Sequence, residues 1–150
     1  MIKMKNIIVA LLMFASFIGF AQNPKVPSTM YFGDIQLKIN SAAQKKIQSH
    51  VDNYRRSAIY FQKKVELANL YFPIIEAKFR EENVPEDFKY LIIQESGFVS
   101  DAVSSSNAVG YWQFKKATGE EVGLTINSKV DERKNISRAS TGAAKYFKFN

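Results

Sequence analysis

Residues 83–114 read NVPEDFKYLIIQESGFVSDAVSSSNAVGYWQF, and the way this stretch folds decides the rest. Pro85 followed by Glu86 and Asp87 is a helix start. Proline lacks an N–H that the first turn could not use, and acids suit the positive end of the helix dipole. The spacing predicts a helix to about Ser96, ended by Gly97 in the left-handed conformation. Phe88, Leu91, Ile92 and Glu95 then follow the i, i+3, i+4, i+7 series of one inward face. The last member is an acid where an apolar residue is expected.

A carboxyl group on such a face is partly desolvated, which raises its pKa and keeps it protonated as a general acid. Glu95 is therefore the candidate catalytic residue. It also reads as a surface carboxylate at a frayed helix end, or as a buried acid paired with a nearby Lys or Arg.

Working outward, the chain has 150 residues, 46% hydrophobic and 13% aromatic, enough for one domain with a real core. The fold class expected is all-α. The first residues, MIKMKNIIVALLMFASFIGFA, place Lys3 and Lys5 before an apolar run from Ile7 to Phe20 and end on the small residues Gly19 and Ala21. This predicts a secretory signal peptide over residues 1–21, cleaved after Ala21. An uncleaved anchor is the rival reading, but the run is shorter than the ~20 residues of a spanning helix. With no cysteine there is no disulfide, no lipid on a cysteine and no zinc–thiolate site. Lys3 and Lys5 are two of the seven net positive charges, so the mature chain stays basic. Export sets nucleic acid aside and leaves anionic cell-wall polymer or a membrane surface as counterpart, with no stable membrane insertion expected after signal removal.

Residues 22–40, with Pro24, Pro27, Ser28, Thr29 and Gly33, read as an extended leader, and the domain is expected over 41–150. Ile47, Val51, Tyr54, Ala58, Phe61, Val65 and Ala68 predict one long amphipathic helix. His50, the single histidine, has no second histidine or cysteine to complete a metal site. A further helix is expected over Ala68 to Glu82, broken or kinked near Pro73. Residues 98–110 read as a polar loop, Lys115 to Val122 as a short helix ended by Gly123, and the last helix begins at Asn135 or Ser137 as N-cap. No pair of strands is expected.

Gln94-Glu95-Ser96-Gly97-Phe98, Ala108-Val109-Gly110-Tyr111-Trp112-Gln113-Phe114, Ala117-Thr118-Gly119 and Gly123-Leu124 together resemble the lytic transglycosylases of glycoside hydrolase family 23, the SLT domain. Val130-Asp131-Glu132-Arg133 and Ala143-Ala144-Lys145-Tyr146-Phe147 resemble that family's following segments. The resemblance runs from about Tyr54 to Phe147. It implies a lysozyme-like, mainly helical fold and cleavage of the β-1,4 bond between N-acetylmuramic acid and N-acetylglucosamine in peptidoglycan, leaving a 1,6-anhydromuramoyl end. No metal or cofactor is implied. Glycan strands are the implied partner, with other cell-wall enzymes as further partners in a periplasm or cell envelope.

The implied chemistry uses one acid. Glu95 would protonate the glycosidic oxygen and then, as carboxylate, take the proton of the C6 hydroxyl as it attacks the anomeric carbon, whereas most glycosidases need two carboxylates. By position, Ser104 matches the serine that contacts the 2-acetamido group and Gln113 the glutamine lining the sugar cleft. Tyr111 is expected to face the cleft, Tyr146 to pack in the core with its hydroxyl toward the site, and Trp112 and Phe114 to anchor the loop. Gly110 is expected to allow a tight turn beside the acid. The family's A-Y-N-x-G segment is not reached before Asn150, so the domain reads as truncated at its C-terminal end, by fragment or by nature, and activity of this chain as uncertain. A lysozyme-type hydrolase with Asp101 as base, and a non-catalytic peptidoglycan-binding or scaffolding domain, stand as alternatives.

Overall fold

The structure is a computed structural model that describes residues 24–149. The expected signal peptide, residues 1–21, lies outside the described residues. Two short strands, β1 (Thr29–Phe32) and β2 (Ile35–Lys38), precede a long helical hairpin of α1 (Ser41–Arg56) and α2 (Ala58–Glu81). A 3-10 turn (Glu86–Tyr90) leads into α3 (Leu91–Glu95), and after a long loop come α4 (Lys116–Glu121), a 3-10 turn (Glu132–Lys134) and α5 (Ile136–Phe149). The domain is mainly helical, as expected.

The strands are a difference from the sequence reading. They pair antiparallel with Phe32 opposite Ile35, so Gly33 and Asp34 form a two-residue turn, and Gly33 takes the positive φ of +55° that primed hairpin turns require. The tip is held from outside: the Gly33 N–H donates to Asp87 Oδ2 at 2.6 Å, and Phe32 meets the Phe88 ring edge-on at 4.9 Å. A tertiary anchor thus selects the hairpin.

The single helix expected over residues 41–68 is two. Asn40 caps α1 by accepting from the Ala43 N–H at 2.9 Å, and Ser57 interrupts the run with an extended backbone, its hydroxyl accepting from the Tyr60 N–H. A serine hydroxyl competes for backbone donors in this way and starts a new helix. The break expected at Pro73 is absent. Pro73 lies on the exposed side of α2, while Ile75 and Phe79, two and six residues on, are wholly buried, so packing holds the helix through the proline. α2 ends in a Schellman motif: Asn83 is left-handed at φ +58°, its N–H reaches Arg80 O, and the Val84 N–H reaches Phe79 O.

The core lies between α2 and α5. Ile75, Phe79, Ile92, Trp112 and Phe114 face the small residues Ala139, Ala143 and Ala144, which let the helices approach closely. Phe147 stacks on Phe88 and meets the rings of Phe79 and Trp112 edge-on. Burying a side chain such as Phe79 contributes roughly 1.5–3 kcal/mol, so this cluster outweighs any single surface interaction. Asn135 is the N-cap of α5, accepting from the Arg138 N–H at 3.0 Å.

Candidate active site

Glu95 is the last residue of α3, a helix of five residues stopped by Gly97 at φ +59°. The inward face expected for it does not continue that far. Phe88 and Leu91 are half-buried and Ile92 is wholly buried, while Glu95, one α-helical turn after Leu91 at the helix end, lies with it on an open cleft and is exposed. The desolvated acid expected from the sequence is therefore a solvent-facing carboxylate, which corrects that reading.

What faces Glu95 is a cleft of about 260 Å³. Leu91 and Glu95 come from α3, Gln113 and Lys115 from the end of the loop, Thr118 from α4, and Tyr146 and Phe147 from α5. Glu95 is the one carboxylate in this lining. The structure thus brings Glu95, Gln113 and Tyr146 together across segments separated by about twenty to fifty residues. Tyr146 is 40% exposed, standing edge-on to Phe114 and Phe147, so it is a cleft wall rather than a core residue.

The loop wall is held by a dense set of backbone contacts. Gly110, at φ +82°, donates to Ala102 O at 2.9 Å and comes so close to the Arg133 carbonyl that a Cβ would lie 2.1 Å from its oxygen. The Ser96 hydroxyl donates to Tyr111 O at 2.8 Å, tying the end of the acid's helix to the loop. Gln113 sits at φ +50°, a conformation that costs a non-glycine residue energy, and its amide nitrogen donates to Gly110 O at 2.9 Å and Ala102 O at 3.2 Å. Beneath it, Arg133 is nearly buried, forked onto Asp131 at 2.6 and 2.8 Å, and donates to Phe114 O at 3.1 Å. The guanidinium holds the Asp131 carboxyl below the usual carboxylate range. Trp112 closes the core side, its indole N–H donating to Ser140 Oγ at 3.0 Å.

Two expected site residues lie elsewhere. Tyr111 is 7% exposed and outside the cleft lining; its hydroxyl donates to Tyr71 at 3.4 Å, and burial together with that bond pushes its pKa up to about 12. Ser104 is also outside the lining, its Oγ accepting the Ala108 N–H at 3.1 Å and so closing the loop tip beside left-handed Asn107. Asp101 is exposed at the loop's first bend and does not line the cleft. Lys115 and Thr118 are cleft residues that the sequence reading did not single out for the site; Lys115 directly follows the Trp112-Gln113-Phe114 run, and Thr118 stands in the Ala117-Thr118-Gly119 segment of the resemblance.

A family model described as Transglycosylase SLT domain matches residues 72–150, which span every residue of this cleft and its supporting loop. The chain belongs to that family. Among curated relatives of this SLT domain, the membrane-bound lytic murein transglycosylase D of Escherichia coli strain K12 is 29% identical over 113 residues. The same protein from Escherichia coli O6:H1 is equally similar. That alignment covers 75% of this chain and 25% of the relative, so the chain spans about a quarter of the length of the curated relatives it matches. No solved structure matches the chain. Glu95, Gln113 and Tyr146 all fall inside the SLT match, as do Ser104 and Tyr111.

Proposed function

We propose that this chain is an exported peptidoglycan lytic transglycosylase that cleaves the β-1,4 bond between N-acetylmuramic acid and N-acetylglucosamine, with Glu95 as general acid and then base. The observation that carries the reading is the exposed Glu95 carboxyl as the single acid lining a cleft whose walls are the SLT segments. One acid suffices for this reaction. The Glu95 proton passes to the leaving glycosidic oxygen, the muramoyl C6 hydroxyl bonds to the anomeric carbon, and the hydroxyl proton returns to Glu95. No water is consumed, and a 1,6-anhydro end results. A hydrolase would need a second carboxylate to activate water, commonly ~6.5–9.5 Å from the first, and Asp101 is not in the lining.

The remaining cleft groups fit an anionic glycan. Lys115 supplies positive charge at the loop end, Tyr146 forms a partly exposed aromatic wall, and Gln113 fixes the loop on which the wall depends. Tyr111 and Ser104 act on the same loop from behind, the one against Tyr71 and the other at the tip. Export to the periplasm or cell envelope is supported by Lys3, Lys5 and the apolar run from Ile7 to Phe20.

Purified chain incubated with insoluble peptidoglycan should release soluble muropeptides, and Glu95→Gln should release none while melting within about 0.5 kcal/mol of the parent, as an exposed substitution does. Release by Glu95→Gln at the parent's rate would remove Glu95 from the reaction.

A further inference from the structure

Positive charge is unevenly placed along the chain. Residues 24–64 carry eight Lys and Arg against two acids, whereas residues 65–149 carry eleven against twelve. The excess therefore precedes the segment that the SLT model matches, 72–150, and sits on the strands, α1 and the first turns of α2. It is also unneutralised. The ion pairs among the described residues all join groups between Glu76 and Lys148, so no cation of residues 24–64 takes part in one.

α1 gathers much of this charge on one side. Lys46, Ser49, Asn53 and Arg56 follow the i, i+3, i+7, i+10 spacing of a single helical face, and all four are exposed, as is neighbouring Lys45. Ile47 and Val51 turn instead to the groove against α2 and are half-buried. The segment before the strands adds to the basic side. Gln48 accepts from the Val26 N–H at 2.9 Å and donates to Pro24 O at 3.1 Å, and Gln44 donates to Val26 O at 3.2 Å. These bonds lay residues 24–26 along α1 and bring Lys25 to a shallow concavity shared with Lys45. Asp52, the one acid there, accepts from Gln48 at 2.9 Å.

A helix that lies on a membrane buries an apolar face in it, and the outer face of α1 is polar from Lys45 to Arg56. Cations interleaved with serine and asparagine suit a hydrated polyanion instead. We propose that the outer face of α1 is a docking surface for peptidoglycan outside the cleft, with Lys45, Lys46 and Arg56 on the carboxylates of its stem peptides. This docking rests on peptidoglycan being the polymer cleaved at Glu95, but it is a binding event and proceeds without turnover.

Cosedimentation of the full chain, carrying Glu95→Gln, with purified protein-free peptidoglycan tests it. The half-saturating protein concentration should rise at least fivefold when Lys46→Gln and Arg56→Gln are combined, and also when NaCl is raised from about 50 to about 500 mM without them. Lys129→Gln with Lys134→Gln removes the same charge from exposed positions of the SLT segment and should change it less than twofold. Both pairs should melt close to the parent, as exposed substitutions do. Binding that follows this pattern while the Glu95 chain releases no muropeptide would support the docking surface and count against the cleavage reading alone. Equal weakening by the two pairs, or binding that neither pair changes, would overturn the proposal. So would sedimentation with phosphatidylglycerol vesicles, but not with peptidoglycan, that Lys46→Gln and Arg56→Gln abolish, which would assign the face to a membrane.

Discussion

Gly110 shows how single residues shape the cleft. Its left-handed backbone and its approach to the Arg133 carbonyl leave no room for a Cβ, so Gly110→Ala should cost on the order of 2–4 kcal/mol in a thermal melt. The Asp131–Arg133 fork beneath it has a pH signature. A carboxyl whose folded pKa is lowered stabilises the fold above the ordinary value of ~3.9, and that contribution is lost as pH falls through the folded value. Asp131→Asn should therefore be less stable than the parent by roughly 3 kcal/mol at neutral pH, because it leaves Arg133 nearly buried without its partner, and the gap should close in strong acid. Melts at both pH values check it; a gap unchanged in acid would mean that the fork is not the cause. Ser140→Ala tests the other support of the loop. With the Trp112 N–H left unsatisfied in the core, it should cost about 1–3 kcal/mol, read by urea unfolding.

At the scale of elements, what was legible in the sequence was whatever local chemistry decides. Gly97, Gly123 and Asn135 end or cap helices where their conformational freedom or side-chain oxygen predicts, and the apolar faces of α2 and α5 follow their helical periods. What was not legible depended on partners distant in the chain. The β1–β2 hairpin needs Asp87 and Phe88 to hold its tip, and α2 runs through Pro73 because Ile75 and Phe79 beyond it are buried in the core shared with α5. Glu95 is exposed because its helix ends on an open cleft built by distant segments, which periodicity along residues 88–95 does not read. The cleft itself was half legible: Glu95, Gln113 and Tyr146 were singled out and converge, whereas Ser104 and Tyr111 bond within the loop and to Tyr71. In α5, Gly142 lies against Val122 and Leu124, where a Cβ would already meet Val122 at 3.0 Å. Gly142→Val should thus overpack that contact and lower stability by roughly 1–3 kcal/mol in a thermal melt.

Across the whole molecule, stability is uneven in a way that matches the division of labour. The α2–α5 core carries the wholly buried side chains, while α1 buries none and the strands are exposed along nearly all their length. Hydrogen exchange should therefore show residues 41–56 opening at lower free energy than residues 70–81, with the Glu95 cleft on the protected side of that boundary. The α2–α5 core presents one acid to an open cleft, and we propose that this acid breaks a glycan strand without water. Mass spectrometry of the products distinguishes this from hydrolysis. Muropeptides released from peptidoglycan by the full chain should end in 1,6-anhydromuramoyl residues, lighter by one water than hydrolysis products, and Glu95→Gln should yield none. Reducing ends of hydrolytic mass, or anhydro ends still formed by Glu95→Gln, would contradict it.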